Sequence, residues 1–250
     1  MARTFAIGDI HGELEQLERL LAKLPAFATG DTLVFMGDYL DRGPKSAEVV
    51  AKLRELERSS RARVVCLRGN HEDGWLRVLD EGWAEFVVPR GNGCLEALRS
   101  FRGAPPPSDD EAPSTEELIA MMKGEFLPAE VVAWMRTLPY FYEDEHAIFV
   151  HAGLVQKDGR FLHPSETEPK LPLLWTRSRA FFADYRGKLV VVGHTATSTL
   201  PPELSSYTPE DPADFWAGPS VVAIDTGCGK EGGFLTAIEL PAKLVYESRD

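Results

Sequence analysis

The stretch TFAIGDIHGELEQLERLLAKL, residues 4–24, joins a short apolar run to a helical pattern, and this pairing decides the fold. Residues 4–8 are almost continuously apolar, as is typical of a strand covered on both faces, and residues 13–24 place leucines at helical spacing. The order is repeated by TLVFMG (32–37), a second helical pattern (46–59) and RVVCLRG (63–69). This β-α-β-α-β alternation predicts an α/β fold with a largely parallel sheet.

The chain changes character after this unit. From Trp75 to about Leu138 it is mainly helical, and the acidic, proline-rich segment 103–117 interrupts it, so we expect a helical cap over about 75–138 that carries a loop. YFYEDEHAIFVH (140–151) is typical of a hairpin that turns near Asp144 and Glu145. Further strands are predicted at 147–153, 188–195, 220–227, 234–240 and 243–248, with a long loop at 199–219. We expect one domain over residues 1–250.

Composition and charge limit the classes of function. The chain has 250 residues, of which 44% are hydrophobic, so it can bury a full core. A net charge of -12 argues against nucleic acid or an anionic membrane surface as partners, because both attract clustered Lys and Arg. No apolar run approaches the roughly 20 residues that span a bilayer, and the first strand leaves no room for a signal peptide, so we expect a cytoplasmic protein. Three widely spaced cysteines without C-x-x-C indicate neither a disulfide framework nor a thiolate zinc site.

Polar side chains follow the ends of five predicted strands. In chain order they are Asp9 and His11, then Asp38, Asp41 and Arg42, then Asn70 and His71, then His151, and finally His194. The loops at the carboxyl ends of strands converge at one edge of an α/β sheet, where ligands bind. A single Gly-Asp is usually a turn and a single buried histidine is usually a core residue. Five such coincidences at strand ends favour one shared site.

The donors in this set are carboxylate oxygens, imidazole nitrogens and an amide oxygen, with no thiolate. Such donors suit Mn, Fe or Zn and match soft-metal or iron-sulfur chemistry poorly. Six such donors exceed the capacity of one tetrahedral site. Two ions that share a bridging carboxylate would use all six, and centres with ions about 3.5 to 4 Å apart recur in phosphoester hydrolysis.

The motifs GD-x-HG, GD-x-x-DRG, GNHE, HAG and GHT occur in this order along the chain. Together they resemble the metallophosphoesterases of the phosphoprotein phosphatase family, the calcineurin-like phosphoesterases, and in particular bacterial Ser/Thr protein phosphatases. The resemblance covers nearly the whole chain. It implies a two-sheet β-sandwich flanked by helices, an αββα arrangement, with the helical cap as an insert.

The resemblance also implies the ligands of each ion. Asp9, His11 and Asp38 would bind one divalent ion, and the bridging Asp38 would join Asn70, His151 and His194 around the other. Manganese is the expected metal, with Fe, Zn, Ni or Co as alternatives. A hydroxide between the two ions would attack phosphorus in line, because metal coordination lowers the pKa of water from 15.7 towards about 7.

Five further residues receive roles from the same resemblance. His71 would protonate the departing alkoxide as general acid, and Asp41 would orient its imidazole and raise its pKa. The guanidinium groups of Arg42, Arg68 and Arg177 would clamp the phosphoryl oxygens, since their planar forks match a phosphate. For each arginine the alternative is a surface salt bridge.

Three functions remain open on the sequence. The first is a metal-dependent phosphomonoesterase that acts on phosphoserine, phosphothreonine or phosphotyrosine in proteins, with a Ser/Thr protein phosphatase as the leading form and phosphoproteins or phosphopeptides as partners. The second is a hydrolase of dinucleoside polyphosphates or other small phosphorylated metabolites, which uses almost the same ligands. Asp41, the aspartate of DRG, favours the first, because symmetrical dinucleoside tetraphosphate hydrolases usually lack it. The third is a non-catalytic phosphate-binding module, which the complete ligand set disfavours. The segments 103–117 and 199–219 leave substrate choice open, and the sequence indicates no oligomeric state.

Overall fold

Two mixed sheets form the centre of the fold. The computed structural model describes residues 2–108, 110–206 and 214–249, within which the chain forms twelve short strands. In chain order they are β1 (Thr4–Ile7), β2 (Thr32–Phe35), β3 (Arg63–Cys66), β4 (Phe141–Glu143), β5 (Ile148–Val150), β6 (Gln156–Lys157), β7 (Arg160–Phe161), β8 (Val190–Val192), β9 (Trp216–Ala217), β10 (Val221–Ala223), β11 (Thr236–Leu240) and β12 (Leu244–Glu247).

The first sheet has the order β12-β11-β1-β2-β3, and the second has the order β4-β5-β8-β10-β9. The strands β1, β2 and β3 are parallel, as are β5, β8 and β10, which confirms the parallel pairing predicted for the opening of the chain. The remaining strands of both sheets pair antiparallel. For β4–β5, β9–β10 and β11–β12 the reason is connection length: β11 and β12, for example, are joined by residues 241–243 alone, too few for a parallel crossover. The predicted hairpin is β4 and β5.

Helices cover the outer faces of the sheets. Among the described residues they are α1 (Leu14–Lys23), α2 (Ser46–Ser59), α3 (Asn70–Glu81), α4 (Cys94–Arg102), α5 (Thr115–Lys123), α6 (Ala129–Thr137), α7 (Pro172–Trp175) and α8 (Arg179–Asp184).

Alternation along the strands produces three layers of core. In β1, Phe5 and Ile7 pack with α1 and α2, whereas Ala6 faces the other sheet and joins Phe149 and Val191 there. A third cluster packs α7 and α8 on the outer face of the second sheet. These layers are the αββα sandwich that the sequence predicts.

The predicted cap corresponds to α3 through α6, with a different boundary. The strand predicted at 63–69 ends at Cys66, and the helical segment predicted from Trp75 begins at Asn70. The helix begins early because the carboxylate of Glu72 accepts the backbone N–H of Gly69 at 2.9 Å and so satisfies a free donor at the helix start. The cap helices share a core cluster with α1 and α2. The division into one domain with a cap stays a prediction.

Parts of both predicted loops fall outside the described residues, namely residue 109 of segment 103–117 and residues 207–213 of segment 199–219. Cys66, Cys94 and Cys228 are buried and free. In the portion of the chain that is described, no helix combines the length and apolar character needed to cross a membrane.

Candidate metal centre

The six predicted ligands meet where the loops after the parallel strands converge. Asp9 and His11 follow β1, Asp38 follows β2, Asn70 opens α3, His151 follows β5 and His194 follows β8. All six are buried, with exposed fractions of 5% or less. The first sheet and its loops supply four of them and the second sheet supplies two. The site therefore lies on the edge that the two sheets share.

Asp38 occupies the centre of this group. Its Oδ2 lies 3.5 Å from Nε2 of His11, and its Oδ1 lies 3.5 Å from Nε2 of His151. Two sets of side chains have ligand atoms close enough to hold an ion: His11, Asp38 and His71 form one, and Asp38, His151 and His194 form the other. Because Asp38 belongs to both sets, it is placed as a bridging carboxylate would be.

The protonated nitrogens of two histidines point away from the site. Nδ1 of His11 donates to the carbonyl of Leu40 at 3.1 Å, and Nδ1 of His151 donates to the carbonyl of Met36 at 2.8 Å. In a neutral imidazole with the proton on Nδ1, Nε2 is an acceptor. Nε2 of His151 then faces the Oδ1 of Asn70 at 2.9 Å. These facing acceptor atoms are the arrangement that a cation between them would stabilise.

Unpartnered polar atoms test whether divalent ions fit here. Among the described residues, Asp9 Oδ1, His11 Nε2 and His194 Nε2 are buried at this site with no hydrogen-bond partner. Leaving such an atom unpaired costs about 1 to 3 kcal/mol, so three together indicate a missing ligand. Carboxylate oxygens and neutral imidazole nitrogens are ordinary donors to divalent metals. The residues therefore fit a metal pair, while their assignment as ligands stays a prediction.

The electrostatics of the site match this chemistry. Burial lowers the pKa of His194 to about 2 and also lowers the pKa of His151, so both rings are in the neutral, ligating form. Burial alone would raise the pKa of Asp38, but the neighbouring histidines hold it well below its usual range. Burial raises the pKa of Asp9, and the carboxylates of Asp225 and Asp38 raise it further. A cation between Asp9 and Asp38 would relieve this repulsion.

His71 is held by a buried carboxylate. Its Nδ1 lies 2.6 Å from Oδ2 of Asp41, which is fully buried and also accepts the indole N–H of Trp75 at 2.9 Å. This leaves Nε2 directed toward the centre, 4.0 Å from Oδ2 of Asp38. Burial acts to lower the pKa of His71, but Asp38 and Asp41 together raise it above the usual value. The contact expected between His71 and Asp41 is present, and the role of general acid stays a prediction.

Glu72 is a site residue that the sequence reasoning missed. Its carboxylate is buried and accepts the backbone N–H groups of Asp38 at 2.9 Å, Tyr39 at 2.8 Å and Gly69 at 2.9 Å. Burial raises its pKa to about 7, against the effect of these hydrogen bonds. Glu72 thereby fixes the loop that carries the bridging carboxylate. The signal was the GNHE motif itself, in which Glu72 stands at the third helical position, where a capping carboxylate is favoured.

The three arginines differ in their surroundings. Among the described residues, no side chain makes an ion pair or hydrogen bond to Arg42, and its Nε is buried and unpartnered. The Nε of Arg68 is also unpartnered, but its terminal nitrogens donate to Tyr140 Oη at 3.0 Å and to the carbonyls of Met135 and Arg136 at 3.1 and 2.9 Å. Arg177 is exposed and reaches the carbonyl of His194 at 3.4 Å. Phosphate binding stays a prediction for all three, and Arg42 is the one whose guanidinium is free for it.

Backbone strain is concentrated at this site. Seven non-glycine residues of the described chain have positive φ, and five of them are His11, Asp38, Asp41, Arg42 and His194. Such conformations cost about 1 to 3 kcal/mol each and persist where the surrounding structure enforces them. Gly193 has a related steric role, because a Cβ there would lie 2.0 Å from Asp9 Oδ1. The loops that carry the predicted ligands therefore hold strained backbone conformations that place these side chains at the site.

Comparison with known protein families agrees with this geometry. The family model described as "Calcineurin-like phosphoesterase" matches residues 2–198, which is more than half of the chain. The chain belongs to the calcineurin-like phosphoesterase family. The resemblance read from the motifs and the prediction of a phosphoesterase-type hydrolase are thus confirmed at the level of the family. Metallophosphoesterases of this kind use a dinuclear metal centre, and the two sets of side chains that share Asp38 are where this phosphoesterase could hold it.

Individual relatives of this calcineurin-like phosphoesterase are named for different activities. A symmetrical bis(5'-nucleosyl)-tetraphosphatase of Janthinobacterium sp. (strain Marseille) is 32% identical over 152 residues, which cover 61% of this chain and 44% of that protein. The chain thus matches less than half the length of that relative. A metallophosphoesterase structure from Sphaerobacter thermophilus superposes with a TM-score of 0.54 at 18% identity, covering 98% of this chain and 87% of the other.

A cold-active protein-tyrosine phosphatase of Shewanella sp. superposes with a TM-score of 0.57 at 19% identity, covering 95% of this chain and 75% of the other. At these identities the two structures support the fold alone.

Proposed function

We propose that the protein is a metal-dependent phosphohydrolase that cleaves dinucleoside polyphosphates, with symmetrical tetraphosphates as the first substrates. The observation that supports a metal-dependent hydrolase is the position of Asp38, which belongs to two buried sets of side chains that could each hold an ion. Several metal-ligating atoms at this site have no hydrogen-bond partner among the described residues. The choice of substrate is supported by the tetraphosphatases among the relatives, which favour it over the phosphoprotein substrate first expected. When bound, divalent ions would supply positive charge to the phosphoryl oxygens and lower the pKa of water.

The residues of the chain have separate tasks in this proposal. Asp9, His11, Asp38, Asn70, His151 and His194 would hold the ions; all six are buried, and His11, Asp38, His151 and His194 belong to the two sets of close side chains. Arg42 would bind the phosphoryl oxygens, because its guanidinium has no ion pair among the described residues and is close enough to act on the pKa values of Asp9 and His11. Its planar fork suits two phosphoryl oxygens at once.

His71 would hold a proton at Nε2 for the leaving group. Asp41 fixes the ring through Nδ1, so Nε2 is the nitrogen that can donate toward the centre. A nucleoside diphosphate is a weakly basic leaving group and needs this proton little, whereas an alkoxide from phosphoserine or phosphothreonine needs it strongly. The contribution of general-acid catalysis to the rate therefore increases with the basicity of the leaving oxygen.

That argument supplies a second candidate function, a protein phosphatase of the Ser/Thr type. The observation in its favour is the 2.6 Å contact between His71 and Asp41, which builds a general acid that an anhydride substrate does not require. Symmetrical dinucleoside tetraphosphate hydrolases usually lack the corresponding aspartate, by the resemblance described above. The two candidates therefore differ in the substrate on which the His71–Asp41 pair acts.

A substrate panel tests the order of these candidates. Protein loaded with Mn²⁺ would be assayed on diadenosine tetraphosphate, on a phosphothreonine peptide and on p-nitrophenyl phosphate. We expect kcat/KM to be highest for the tetraphosphate, with two molecules of ADP as the product. Higher kcat/KM on the peptide would reverse the order, and no metal-dependent hydrolysis of any of the three would exclude both.

A further inference from the structure

A second cavity lies in the cap, outside the metal centre. It has a volume of about 380 Å³ and is lined by residues of the segment 87–96, of the proline-rich segment and of α5. This size lies within the range of about 300 to 1,000 Å³ typical of small-molecule sites. Its walls are mainly apolar, with Val87, Leu95, Leu118 and Met121 among them. An apolar cavity of this kind suits a flat organic group.

The rim of the cavity is held in place by charged contacts. Arg99 donates through Nε to Glu117 at 2.9 Å and also forms an ion pair with Glu111. Arg90 donates to the backbone carbonyl of Glu111 at 2.6 Å. Glu111, a lining residue, is thereby fixed from two sides. The cavity is therefore formed before any ligand enters, which reduces the entropy lost on binding.

Glu96 provides the polar feature of the wall. Its side chain is half-buried and lines the cavity, and no described residue donates a side-chain hydrogen bond to it. Burial raises the pKa of its carboxyl group, against the effect of the guanidinium groups of Arg90 and Arg99. A carboxylate accepts hydrogen bonds and cannot donate them when ionised. The partner that the Glu96 carboxylate lacks among the described side chains is thus a hydrogen-bond donor.

One wall of the cavity, at Cys94, adjoins the candidate phosphate site. The carbonyl of Gly93 accepts the backbone N–H of Arg42 at 3.2 Å, and a Cβ on Gly93 would lie 2.0 Å from that nitrogen. Glu96 follows Gly93 by three residues, in the first turn of α4. One helical turn thus separates the cavity wall from Arg42. A molecule with a phosphate at Arg42 could place its organic end in the cavity.

We propose that this cavity binds the nucleobase on one side of a dinucleoside polyphosphate, and that Glu96 accepts hydrogen bonds from the exocyclic amino group of that base. This inference rests on the proposed function. Adenine, cytosine and guanine carry such an amino group, and uracil does not. The apolar walls would contact the faces of the ring. The site therefore selects amino-bearing bases, while the metal centre performs the same chemistry on every substrate.

Filling the cavity is the first test. Leu118→Trp places an indole in it, and Ile119→Trp is the matched control, because Ile119 is on the same helix but is 49% exposed and does not line the cavity. We expect Leu118→Trp to raise KM for diadenosine tetraphosphate about tenfold, which corresponds to about 1.4 kcal/mol of lost binding. Turnover of p-nitrophenyl phosphate should match that of the control. An unchanged KM in Leu118→Trp would overturn the inference.

Removing the acceptor is the second test. In the wild type, KM for diuridine tetraphosphate should exceed that for diadenosine tetraphosphate by about tenfold, and Glu96→Leu should abolish this ratio. Glu130→Leu, an equal charge change at an exposed position of α6, should leave the ratio unchanged. A ratio that persists in Glu96→Leu would assign base selection to another residue and contradict the proposal.

Binding without catalysis separates this inference from the proposed function. Saturation-transfer NMR with adenosine and with uridine, on protein kept free of metal by a chelator, reports the cavity alone. We expect transfer to adenosine that Leu118→Trp removes and Ile119→Trp retains. If the wild type does not cleave tetraphosphates, the proposed function fails, whatever adenosine does. If it cleaves them but shows no transfer to adenosine, the cavity inference fails by itself.

Discussion

The carboxylates of Glu72 and Asp38 each accept a backbone N–H from the segment that carries the other. Oε2 of Glu72 accepts the N–H of Asp38 at 2.9 Å, and Oδ1 of Asp38 accepts the N–H of His71, the residue before Glu72, also at 2.9 Å. These two hydrogen bonds connect the loop after β2 to the first turn of α3. The bridging carboxylate and the candidate acid are therefore positioned as one unit.

Glu72→Gln should loosen this unit. The amide keeps one acceptor oxygen and turns an NH₂ donor toward backbone N–H groups, so the free energy of unfolding should fall by about 1 to 3 kcal/mol. Mn²⁺ affinity should fall about 10- to 100-fold, as it does when supports of metal ligands are removed. Urea denaturation and calorimetric titration measure the two effects. Glu130→Gln, at an exposed position, is the control, and equal values for both variants would contradict the role of Glu72.

His71→Asn should lower turnover according to the leaving group. On a phosphothreonine peptide, whose alkoxide needs a proton, kcat should fall by about 10² to 10⁴. On p-nitrophenyl phosphate and diadenosine tetraphosphate, with weakly basic leaving groups, the loss should be much smaller. Elemental analysis must show the same bound metal as in the wild type. A uniform loss on all three substrates would assign His71 to the metals and not to acid catalysis.

Asp41→Asn should move the pH profile. The pKa of His71 lies above its ordinary value, and the Asp41 carboxylate is one of the groups that raise it. A general acid must be protonated, so kcat/KM on the phosphothreonine peptide should decrease as pH rises through this pKa. Removing the charge of Asp41 lowers the pKa, and the decrease should therefore begin at lower pH. An alkaline limb that stays in place would show that Asp41 does not set it.

Gly193→Ala should weaken metal binding at the position predicted for Asp9, His11 and Asp38. A Cβ at residue 193 would lie 2.0 Å from Asp9 Oδ1, so Asp9 must shift away from His11 and Asp38. The variant should retain less metal after gel filtration, measured by elemental analysis. Gly91→Ala is the control, since a Cβ there meets nothing within 4 Å. Full metal content in Gly193→Ala would mean that Asp9 is not a required ligand.

Arg42→Ala and Arg68→Ala should separate binding from stability. Arg42 has no side-chain partner among the described residues, so its removal should reduce kcat/KM by about 10- to 100-fold with little change in unfolding. Arg68 holds carbonyls at the end of α6 and stacks 4.8 Å above the ring of Tyr140, so its removal should lower the unfolding midpoint. The reverse pattern would exchange the two assignments.

Much of the fold was readable because its signals are local. Apolar runs, helical spacing and the polar residues after each strand predict the strands, the helices and the convergence of Asp9, Asp38, Asn70, His151 and His194. The start of α3 was misplaced by five residues, since the polar run Asn70–Gly74 has no apolar periodicity and the helix there depends on the buried carboxylate of Glu72.

What could not be read depends on contacts between distant parts of the chain. Arg68 and Arg42 look alike in sequence, each beside a motif glycine, yet Tyr140 and the end of α6 engage only the former. The cap cavity likewise depends on Arg99 binding Glu111 and Glu117 across the proline-rich segment. No pattern in one stretch encodes such partners, because they are set by packing.

The second predicted ligand set takes Asn70 from the loop after the first sheet's β3, and His151 and His194 from the loops after β5 and β8 of the second sheet. An ion bound there would cross-link the two sheets at the edge that they share, and its binding free energy would add to the free energy of unfolding. Removing the metal would therefore lower the stability of the fold as well as the hydrolytic activity. The apo protein would melt at a lower temperature and be digested sooner by proteases.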